Sequence, residues 1–334
     1  MTRTHLPVYA SPSWQRILAR LEFLFARPLP IKSHLTKSKP IPSSFAAPLQ
    51  GTVVAAYGKR FQIELADKKR ISCVTRGKKT DLACGDRVII QLTDKHEGVI
   101  DSTLPRKTLL YRSNAYKSKM LAANVTQIII VLATQPSFYE ALLNRCLIAA
   151  EAAHIKALIV LNKCDLDDTM QAKQKLTLYT DLGYRVLALS AKDDISSLRP
   201  YLQDEASILV GQSGMGKSTI INALLPEEAV RTREVSLSLD SGKHTTTAAH
   251  LYHLDEDSQL IDSPGLQEFG LHHLSTDELE HAFIEFRLHL GLCRFNNCKH
   301  TQEPDCAIKQ ARLSGAISAE RLAIYQLLRA EIEH

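Results

Sequence analysis

Apolar and polar residues alternate over short stretches between residues 50 and 106, and turn residues such as Tyr57-Gly58-Lys59 separate these stretches. Alternation with a period of two is typical of half-buried strands. A series of short strands predicts a small barrel of the OB type, whose open face often binds single-stranded nucleic acid. The predicted strands are Gly51–Ala56, Phe61–Leu65, Arg70–Val74, Arg87–Leu92 and Gly98–Ile100.

From Val125 onward the pattern changes to buried strands that alternate with helices. Val125–Ala133 is a continuous apolar run, and Phe138–His154 has helical periodicity. This alternation predicts a parallel, doubly wound sheet with its site at the carboxyl ends of the strands. The further strands predicted are Ala157–Leu161, Arg185–Leu189, Ser207–Val210 and Gln259–Ile261, and the further helices are Thr169–Leu182, Thr219–Leu225 and a last one with the apolar face Leu322, Ile324, Leu328 and Ile332.

The composition is that of a soluble globular protein, and the length and the strand–helix alternation predict a multidomain chain of the α/β class. The chain has 334 residues, of which 45% are hydrophobic and 23% charged. It contains no apolar stretch of the ~18 residues that a membrane helix needs, and charged residues such as Arg16, Arg20 and Glu22 interrupt the N-terminus where a signal peptide would be apolar. The odd number of cysteines, seven, argues against disulfides. We expect a cytoplasmic monomer with no membrane partner.

Charge and proline content mark the start of the chain as a separate part. Residues 1–47 hold one acid, Glu22, and many Lys, Arg and Pro residues, within a chain of net charge +5. Such an arm either contacts nucleic acid phosphates or is a solvated tail. The barrel likewise either binds RNA through its basic turns or is a spacer. The predicted domains are 1–47, a basic Pro-rich arm; 48–106, the OB-type barrel; 107–272, a nucleotide-binding α/β domain; and 273–334, a helical metal-binding domain.

A glycine-rich stretch follows the predicted strand Ser207–Val210 and opens the next helix. Its sequence, G-Q-S-G-M-G-K-S, matches the phosphate-loop pattern G-x-x-x-x-G-K-[ST] in the strand–loop–helix context that the pattern requires. Backbone N–H groups of such a loop surround the β-phosphate, Lys217 reaches the β and γ oxygens, and the Ser218 hydroxyl ligates Mg²⁺. The predicted phosphate-binding residues are Gly211, Gln212, Ser213, Gly214, Met215, Gly216, Lys217, Ser218 and Thr219.

Two further motifs distinguish guanine from adenine. N-K-C-D at 162–165 follows a predicted strand, and the Asp165 carboxylate can accept hydrogen bonds from guanine N1–H and the 2-amino group, which adenine does not offer as a pair. We expect Lys163 to lie along the base and Asn162 to brace the loop. S-A-K at 190–192 would supply a backbone N–H to guanine O6. Its residues are Ser190, Ala191 and Lys192.

D-S-P-G at 262–265 follows another predicted strand and completes a magnesium-dependent site. Asp262 would hold Mg²⁺ through water, and the Gly265 amide would contact the γ-phosphate. The stretch G-K-H-T-T-T at 242–247, called the switch stretch below, is expected to add a threonine hydroxyl to the ligands of Mg²⁺. We assign this ligand to Thr246, and Thr245 and Thr247 remain alternatives.

The position after Gly265 bears on the rate of hydrolysis. Many GTPases carry a water-orienting glutamine there, whereas this chain has Leu266, which cannot orient water. Intrinsic turnover should therefore be slow. His244 is the candidate for the group that orients the attacking water instead of a glutamine. The alternative is that His244 only packs against or hydrogen-bonds the switch stretch. The predicted catalytic residues are Lys217, His244 and Asp262.

A compact group of cysteines and one histidine lies near the C-terminus. C-x₄-C-x-H-x₅-C offers three thiolates and an imidazole, which fill the tetrahedral shell of Zn²⁺. A filled shell predicts a structural site with no open position, and Arg294 and Lys299 could offset its net negative charge. The predicted zinc ligands are Cys293, Cys298, His300 and Cys306.

The order of the motifs is unusual. In ordinary GTPases the phosphate loop precedes the guanine motifs, but here N-K-C-D and S-A-K precede G-Q-S-G-M-G-K-S and D-S-P-G. A circular permutation explains this order. Together with the barrel and the Cys/His group, these motifs resemble the ribosome small subunit-dependent GTPase A family (RsgA/YjeQ) over about residues 48–330.

The resemblance implies a fold and a function. It implies an OB-type barrel, a permuted GTPase domain and a helical zinc domain, with GTP hydrolysis stimulated by the 30S subunit, binding to 16S rRNA, and a role in late small-subunit maturation. Two alternatives follow from the motifs alone: an RNA-binding module that holds GTP as a structural ligand, and a phosphate-loop kinase or ATPase with an added barrel. Leu266 favours the first slightly, and N-K-C-D disfavours the second.

Overall fold

The computed structural model describes residues 47–77, 81–113, 118–166, 169–226, 230, 249–263 and 269–333. Its first part is a closed barrel, because β1 (Leu49–Tyr57) pairs antiparallel with both β2 (Arg60–Leu65) and β4 (Arg87–Leu92). Alternate side chains of the barrel strands point inward and form a separate apolar core. The OB-type barrel expected from the alternating pattern is confirmed. Its strands are β1 Leu49–Tyr57, β2 Arg60–Leu65, β3 Arg70–Thr75, β4 Arg87–Leu92 and β5 Glu97–Thr103.

A buried ion pair fixes the chain where it leaves the barrel. Arg106 donates to Asp86 through Nε and Nη2 at 2.6 and 2.8 Å, and Asp86 is fully buried. Gly85, beside it, has a φ of +89°, and a Cβ there would lie 2.1 Å from the Ala123 carbonyl oxygen. Only glycine permits this approach between the barrel and the following hairpin.

That hairpin has no counterpart in the sequence-based elements. It consists of β6 (Leu109–Ser113) and β7 (Ser118–Ala123), which pair antiparallel. The Ser113 N–H donates to the Gly270 carbonyl at 3.0 Å, so β6 also contacts the chain shortly after D-S-P-G. The alternation in these strands is too short and irregular to stand out in the sequence.

The nucleotide-binding domain is built on a second part of the sheet. Its strands lie in the order β10 (Arg185–Ala188), β9 (Lys156–Asn162), β8 (Gln127–Ala133), β11 (Ala206–Val210), β13 (Gln259–Asp262) and β12 (His250–His253). All neighbours except β12 and β13 are parallel, and β8 is buried at every residue because helices or loops cover both of its faces. The predicted doubly wound sheet is thus confirmed, with an antiparallel edge strand that the sequence did not predict. Its strands are β8 Gln127–Ala133, β9 Lys156–Asn162, β10 Arg185–Ala188, β11 Ala206–Val210, β12 His250–His253 and β13 Gln259–Asp262.

The edge strand β12 also joins this sheet to the barrel. His250 of β12 pairs with Ala55 of β1, so the two sheets form one continuous eleven-stranded sheet. The ring of His250 meets that of Tyr57 edge-on at 5.5 Å, and His253 Nε2 lies 2.6 Å from Glu64 Oε1. The barrel is therefore docked on the strand that follows the 242–247 stretch.

Helices cover the sheet and then continue into the C-terminal part. Buried side chains of α1 and of the C-terminal helices belong to one apolar cluster, so the C-terminal part shares its core with the nucleotide-binding domain. None of the helices in the described ranges is both long and apolar enough to cross a bilayer. The helices are α1 Glu140–Ala152, α2 Thr169–Asp181, α3 Lys217–Leu224, α4 Thr276–Ala282, α5 Ala307–Leu313 and α6 Ala319–Glu333, with 3₁₀ turns at Ser196–Tyr201 and Ile284–Phe286.

Buried polar contacts reinforce this shared core. Arg321 of α6 is fully buried, stacks on the Phe283 ring at 4.4 Å and donates to Glu285 at 2.5 Å and to Asn144 of α1. Removing either partner of such a pair would leave an uncompensated charge, which costs about 3–5 kcal/mol. The interface thus specifies one arrangement of the C-terminal helices on α1.

Candidate nucleotide site and metal cluster

The predicted guanine and phosphate motifs meet at one edge of the sheet. N-K-C-D follows β9, S-A-K follows β10, the phosphate loop follows β11, and Asp262 ends β13. These strands run parallel, so their carboxyl ends share an edge, which is where open α/β sheets bind ligands. The structure therefore brings together residues that lie a hundred positions apart in the chain.

Asn162 connects three of these loops. Its Nδ2 donates to the Met215 carbonyl at 3.0 Å, and its Oδ1 accepts from the Ala191 N–H at 2.9 Å. Only 2% of its surface is exposed. The amide thus braces the guanine motif against both S-A-K and the phosphate loop, a wider role than the sequence predicted. A Cβ on Gly216 would lie 2.2 Å from this Nδ2, so only glycine fits at this position of the loop.

Lys217 is directed back into the phosphate loop. Its Nζ donates to the carbonyl oxygens of Gly211 and Gln212, both at 2.8 Å. Burial lowers the pKa of Lys217, and the negative charge of Asp262 opposes that shift. A phosphate placed in the loop would supply the same kind of compensation more strongly. Lys217 is thus held within the loop that the sequence predicts to bind phosphate.

Other predicted residues lie at the open surface of this edge. Asp165 and Lys192 are exposed, as are Ser213, Gly214, Ser218 and Thr219 around the start of α3. The Ser190 hydroxyl is buried and has no hydrogen-bond partner among the described residues. His244, Thr246 and Gly265, together with Thr245, Thr247 and Leu266, lie outside the described residues.

Sequence reasoning missed a segment that contacts both halves of the site. The Lys163 Nζ donates to the Gln135 carbonyl at 2.6 Å, and the Tyr139 N–H donates to Gln212 Oε1 at 2.9 Å. A Cβ on Gly214 would lie 3.3 Å from the ring of Pro136. The sequence does offer one sign of this segment: it directly follows the predicted strand β8, and the carboxyl end of that strand lies at the same edge of the sheet as the site.

The Cys/His group comes together as predicted. The ligand atoms of Cys293, Cys298, His300 and Cys306 all lie within 4.8 Å of one another. His300 Nδ1 is 3.3 Å from Cys306 Sγ and 3.6 Å from Cys293 Sγ, and the two sulfurs are 3.9 Å apart. Tetrahedral ligands with metal bonds of about 2.0–2.3 Å lie roughly 3.5–3.8 Å apart. The three distances among Cys293, His300 and Cys306 are therefore close to those of a four-coordinate metal site, and Cys298 lies near enough to be its fourth ligand.

Burial disfavours the thiolate form of two of these cysteines. It raises the pKa of Cys298 to about 12 and that of Cys306 above its ordinary value. The two cations expected to offset the charge of the cluster have partners of their own. Arg294 pairs with Asp305 at 2.9 Å and Lys299 with Glu333 at 3.1 Å.

The fold and the site define the chain as a GTPase with a permuted order of motifs, in which one edge of the sheet brings together the motif residues that the structure describes. The sequence model of the RsgA GTPase family matches residues 103–272. The chain belongs to this family.

Relatives and solved structures agree over most of the chain. A protein of Nitrosospira multiformis named small ribosomal subunit biogenesis GTPase RsgA is 50% identical over 292 residues, 87% of this chain and 93% of the relative. A protein of the same name from Neisseria gonorrhoeae is 52% identical over 280 residues, 84% of this chain and 91% of the relative. The crystal structure of YjeQ from Thermotoga maritima has a TM-score of 0.66 at 28% identity, covering 86% and 99% of the two chains. YloQ, described as a circularly permuted GTPase, has a TM-score of 0.63 at 27% identity, covering 88% and 98%.

Proposed function

We propose that this GTPase acts in biogenesis of the small ribosomal subunit, where it binds the 30S subunit through 16S rRNA and hydrolyses GTP faster when bound. The observation that carries the proposal is the extent of the match to relatives of that name, 87% of this chain and 93% of the relative in one case. A match of this extent includes the barrel and the C-terminal helices as well as the nucleotide-binding domain.

The proposal assigns roles to the residues at the sheet edge. Asn162, Lys163 and Asp165 select guanine, Lys217 and Ser218 hold the phosphates and Mg²⁺, and the remaining phosphate-loop and S-A-K residues surround the nucleotide. The bracing of Asn162 against both Met215 and Ala191 supports a site in which base and phosphate recognition act as one unit. His244 and Thr246 in the switch stretch, with Asp262 and Gly265, complete the proposed catalytic and magnesium set.

Cations on the barrel support the RNA-binding part of the proposal. Exposed Lys and Arg side chains stand at the ends of β1, β2 and β3, where they could neutralise phosphates. Several of them also pair with acids, Arg76 with Asp101 for example, so part of this charge is already compensated. We propose the barrel of residues 48–106 and the arm of residues 1–47 as the rRNA-facing parts. The exposed cations are Lys59, Arg60, Lys68, Lys69, Arg70 and Arg76.

We expect 30S subunits to raise the rate of phosphate release about tenfold or more, whereas free 50S subunits should not. Leu266 leaves the attacking water without a side-chain guide, so a bound partner has to order the switch stretch or supply a group. Phosphate-release assays without subunits, with 30S subunits and with 50S subunits measure this stimulation. Truncation of residues 1–47 should lower only the stimulated rate. Equal rates with 30S and 50S, or no stimulation by either, would contradict the proposal.

We also propose that the cluster of Cys293, Cys298, His300 and Cys306 binds one structural Zn²⁺ in a domain of residues 273–334. Three sulfur donors and one nitrogen donor at tetrahedral spacing favour zinc over harder cations. A bound Zn²⁺ would lower the pKa of the buried thiols and hold the segment from Cys293 to Cys306 against α4 and α6. Four protein ligands leave no open position, so this ion would take no part in hydrolysis.

Replacing Cys298 with serine should weaken zinc binding by at least an order of magnitude while GDP affinity stays nearly unchanged. The substitution removes one sulfur donor, and the hydrogen bonds given for the phosphate loop involve Tyr139 and Asn162 rather than the cluster. Elemental analysis and GDP titration of the purified variant measure the two effects. Cys146→Ser is the control, because Cys146 is buried in α1 and outside the cluster. Wild-type protein without zinc would end this proposal.

A further inference from the structure

One carboxylate outside the cluster faces its histidine. Glu280 lies in the last turn of α4 and is 17% exposed, and its Oε1 accepts from the Tyr325 hydroxyl at 2.8 Å and from Arg329 Nη1 at 2.6 Å. The same Oε1 is 3.5 Å from His300 Nε2. This distance is at the outer limit of a hydrogen bond, and Nε2 makes no hydrogen bond among the described residues.

The histidine is oriented so that its two nitrogens face different groups. Nδ1 lies 3.3 and 3.6 Å from the sulfurs of Cys306 and Cys293, whereas Nε2 is buried and has no closer polar partner than Glu280 among the described residues. His300 is 3% exposed, which excludes water as an easy partner for Nε2. The rings of Tyr325 and Phe286 lie 5.7 and 6.4 Å away and limit rotation of the imidazole.

The carboxylate is itself held from the other side. Arg329 also donates to Glu333 at 3.1 Å, and Glu333 accepts from Lys299 at 3.1 Å. Lys299 directly precedes His300, so a closed chain of polar contacts runs from the cluster through α6 and α4 and back to the cluster. Arg329 holds the Glu280 carboxylate in place by this charged hydrogen bond, and the pair is only partly exposed, at 12% and 17%.

We propose that Glu280 is the positioning residue of the metal centre. By accepting the Nε2–H of His300 it fixes the tautomer in which Nδ1 carries the free lone pair, and it directs Nδ1 to the ion. Metal-binding histidines usually donate their second N–H to such a partner, and loss of that partner typically costs 10–100-fold in metal affinity. The inference rests on the proposed metal binding by the cluster.

The proposal also explains how a metal ion would stabilise helices that provide none of its ligands. Glu280 belongs to α4, and Tyr325 and Arg329 belong to α6. Glu280 therefore connects His300 to both helices, so a metal ion held by His300 would stabilise them through this carboxylate. The gain in thermal stability on metal addition should depend on Glu280 as well as on the four ligands.

The test is a titration of metal-free full-length protein with Co²⁺, whose visible absorption reports tetrahedral sulfur and nitrogen ligation. We expect Glu280→Ala to bind one equivalent with an affinity about 10–100-fold weaker than wild type, and Glu280→Gln to lie between the two. Glu331→Gln is the matched control, because Glu331 is an acid of α6 that pairs with Arg145 of α1 and lies outside this chain of contacts. It should keep wild-type affinity.

A second readout needs no substitution. Long-range ¹H–¹⁵N spectra of the zinc-loaded wild type should show His300 with a metal-bound Nδ1 and a protonated Nε2. Metal bound through Nε2, or an Ala variant with wild-type affinity, overturns the positioning role even if that variant is less stable. Failure of wild type itself to bind Co²⁺ or Zn²⁺ overturns the metal site, and the inference with it. If Glu280→Ala does not fold, the Gln variant and the wild-type spectrum decide.

Discussion

Replacing Lys217 with alanine should lower GTP hydrolysis by about 10³-fold or more, with and without 30S subunits. Removal of one donor from a preorganised anion site typically costs about 10²–10³ in rate, and Lys217 carries a full charge as well. Its Nζ already sits 2.8 Å from two carbonyls of the loop that is to receive the phosphates. A cation preplaced in this way needs little reorganisation when charge develops on the γ-phosphoryl group.

Single-turnover hydrolysis at saturating GTP measures this loss, and GDP and GTP titrations show how much of it is binding. GTP affinity should fall more than GDP affinity, because only GTP offers γ oxygens. Lys173→Ala, an exposed lysine of α2, is the control and should leave both quantities unchanged. A Lys217→Ala protein that keeps more than about a tenth of the wild-type rate would contradict the assigned role.

Replacing Asp165 with asparagine should shift nucleotide preference from guanine to xanthine. The carboxylate is expected to accept two hydrogen bonds from guanine, and bonds to a charged acceptor contribute about 1.5–3 kcal/mol each. GTP affinity should therefore fall on the order of 10²–10⁴-fold. The new amide presents a donor that matches the 2-oxo group of xanthine, so xanthosine triphosphate should bind better to the variant than to wild type.

Competition of both triphosphates against a fluorescent GDP analogue measures this exchange of preference. Asp165 is exposed, so the substitution leaves the core of the domain intact. Asp181→Asn, at the end of α2, removes the same charge away from the sheet edge and should bind GTP normally. If Asp165→Asn kept full GTP affinity, Asp165 would not be the residue that reads the base, and the permuted order would lose its functional meaning.

The parts of the fold that the sequence predicts are those with a strong local signal. The continuous apolar run of β8 and the alternation of β2 each have one explanation in terms of burial. The phosphate loop is predictable because its glycines, lysine and serine are close in sequence and perform one task. The Cys/His cluster is predictable for the same reason, since few alternatives compete for four soft donors within a short stretch.

The parts that escaped prediction depend on distant residues. β12 is a strand because β1 and β13 pair with it, and its four residues, His250–His253, carry little pattern of their own. The bracing role of Asn162 requires Met215 and Ala191, which only the folded sheet places beside it. Glu280 belongs to α4, and its carboxylate contacts α6. From the sequence alone it cannot be distinguished from an ordinary surface acid of a helix.

Helix and strand boundaries show a similar division. The predicted helix Phe138–His154 is found as Glu140–Ala152, and the N–H of its N-cap residue, Tyr139, donates to Gln212 of the phosphate loop. The predicted helix Thr219–Leu225 begins earlier, at Lys217, since the phosphate loop leads directly into its first turn. Both helices therefore begin beside or within the phosphate loop.

The central position of β11 has a consequence for synthesis of the chain on the ribosome. β8 pairs with β9, which follows it closely, and on its other side with β11, which is translated much later. The stretch from residue 133 to residue 206 takes roughly 4–15 s to translate at about 5–20 residues per second. During that time one edge of an apolar strand stays unpaired, and such an edge is a template for pairing with other chains. The nascent chain therefore passes through an interval in which only segments that are already translated, or a bound chaperone, can shield the edge of β8 to which β11 later pairs.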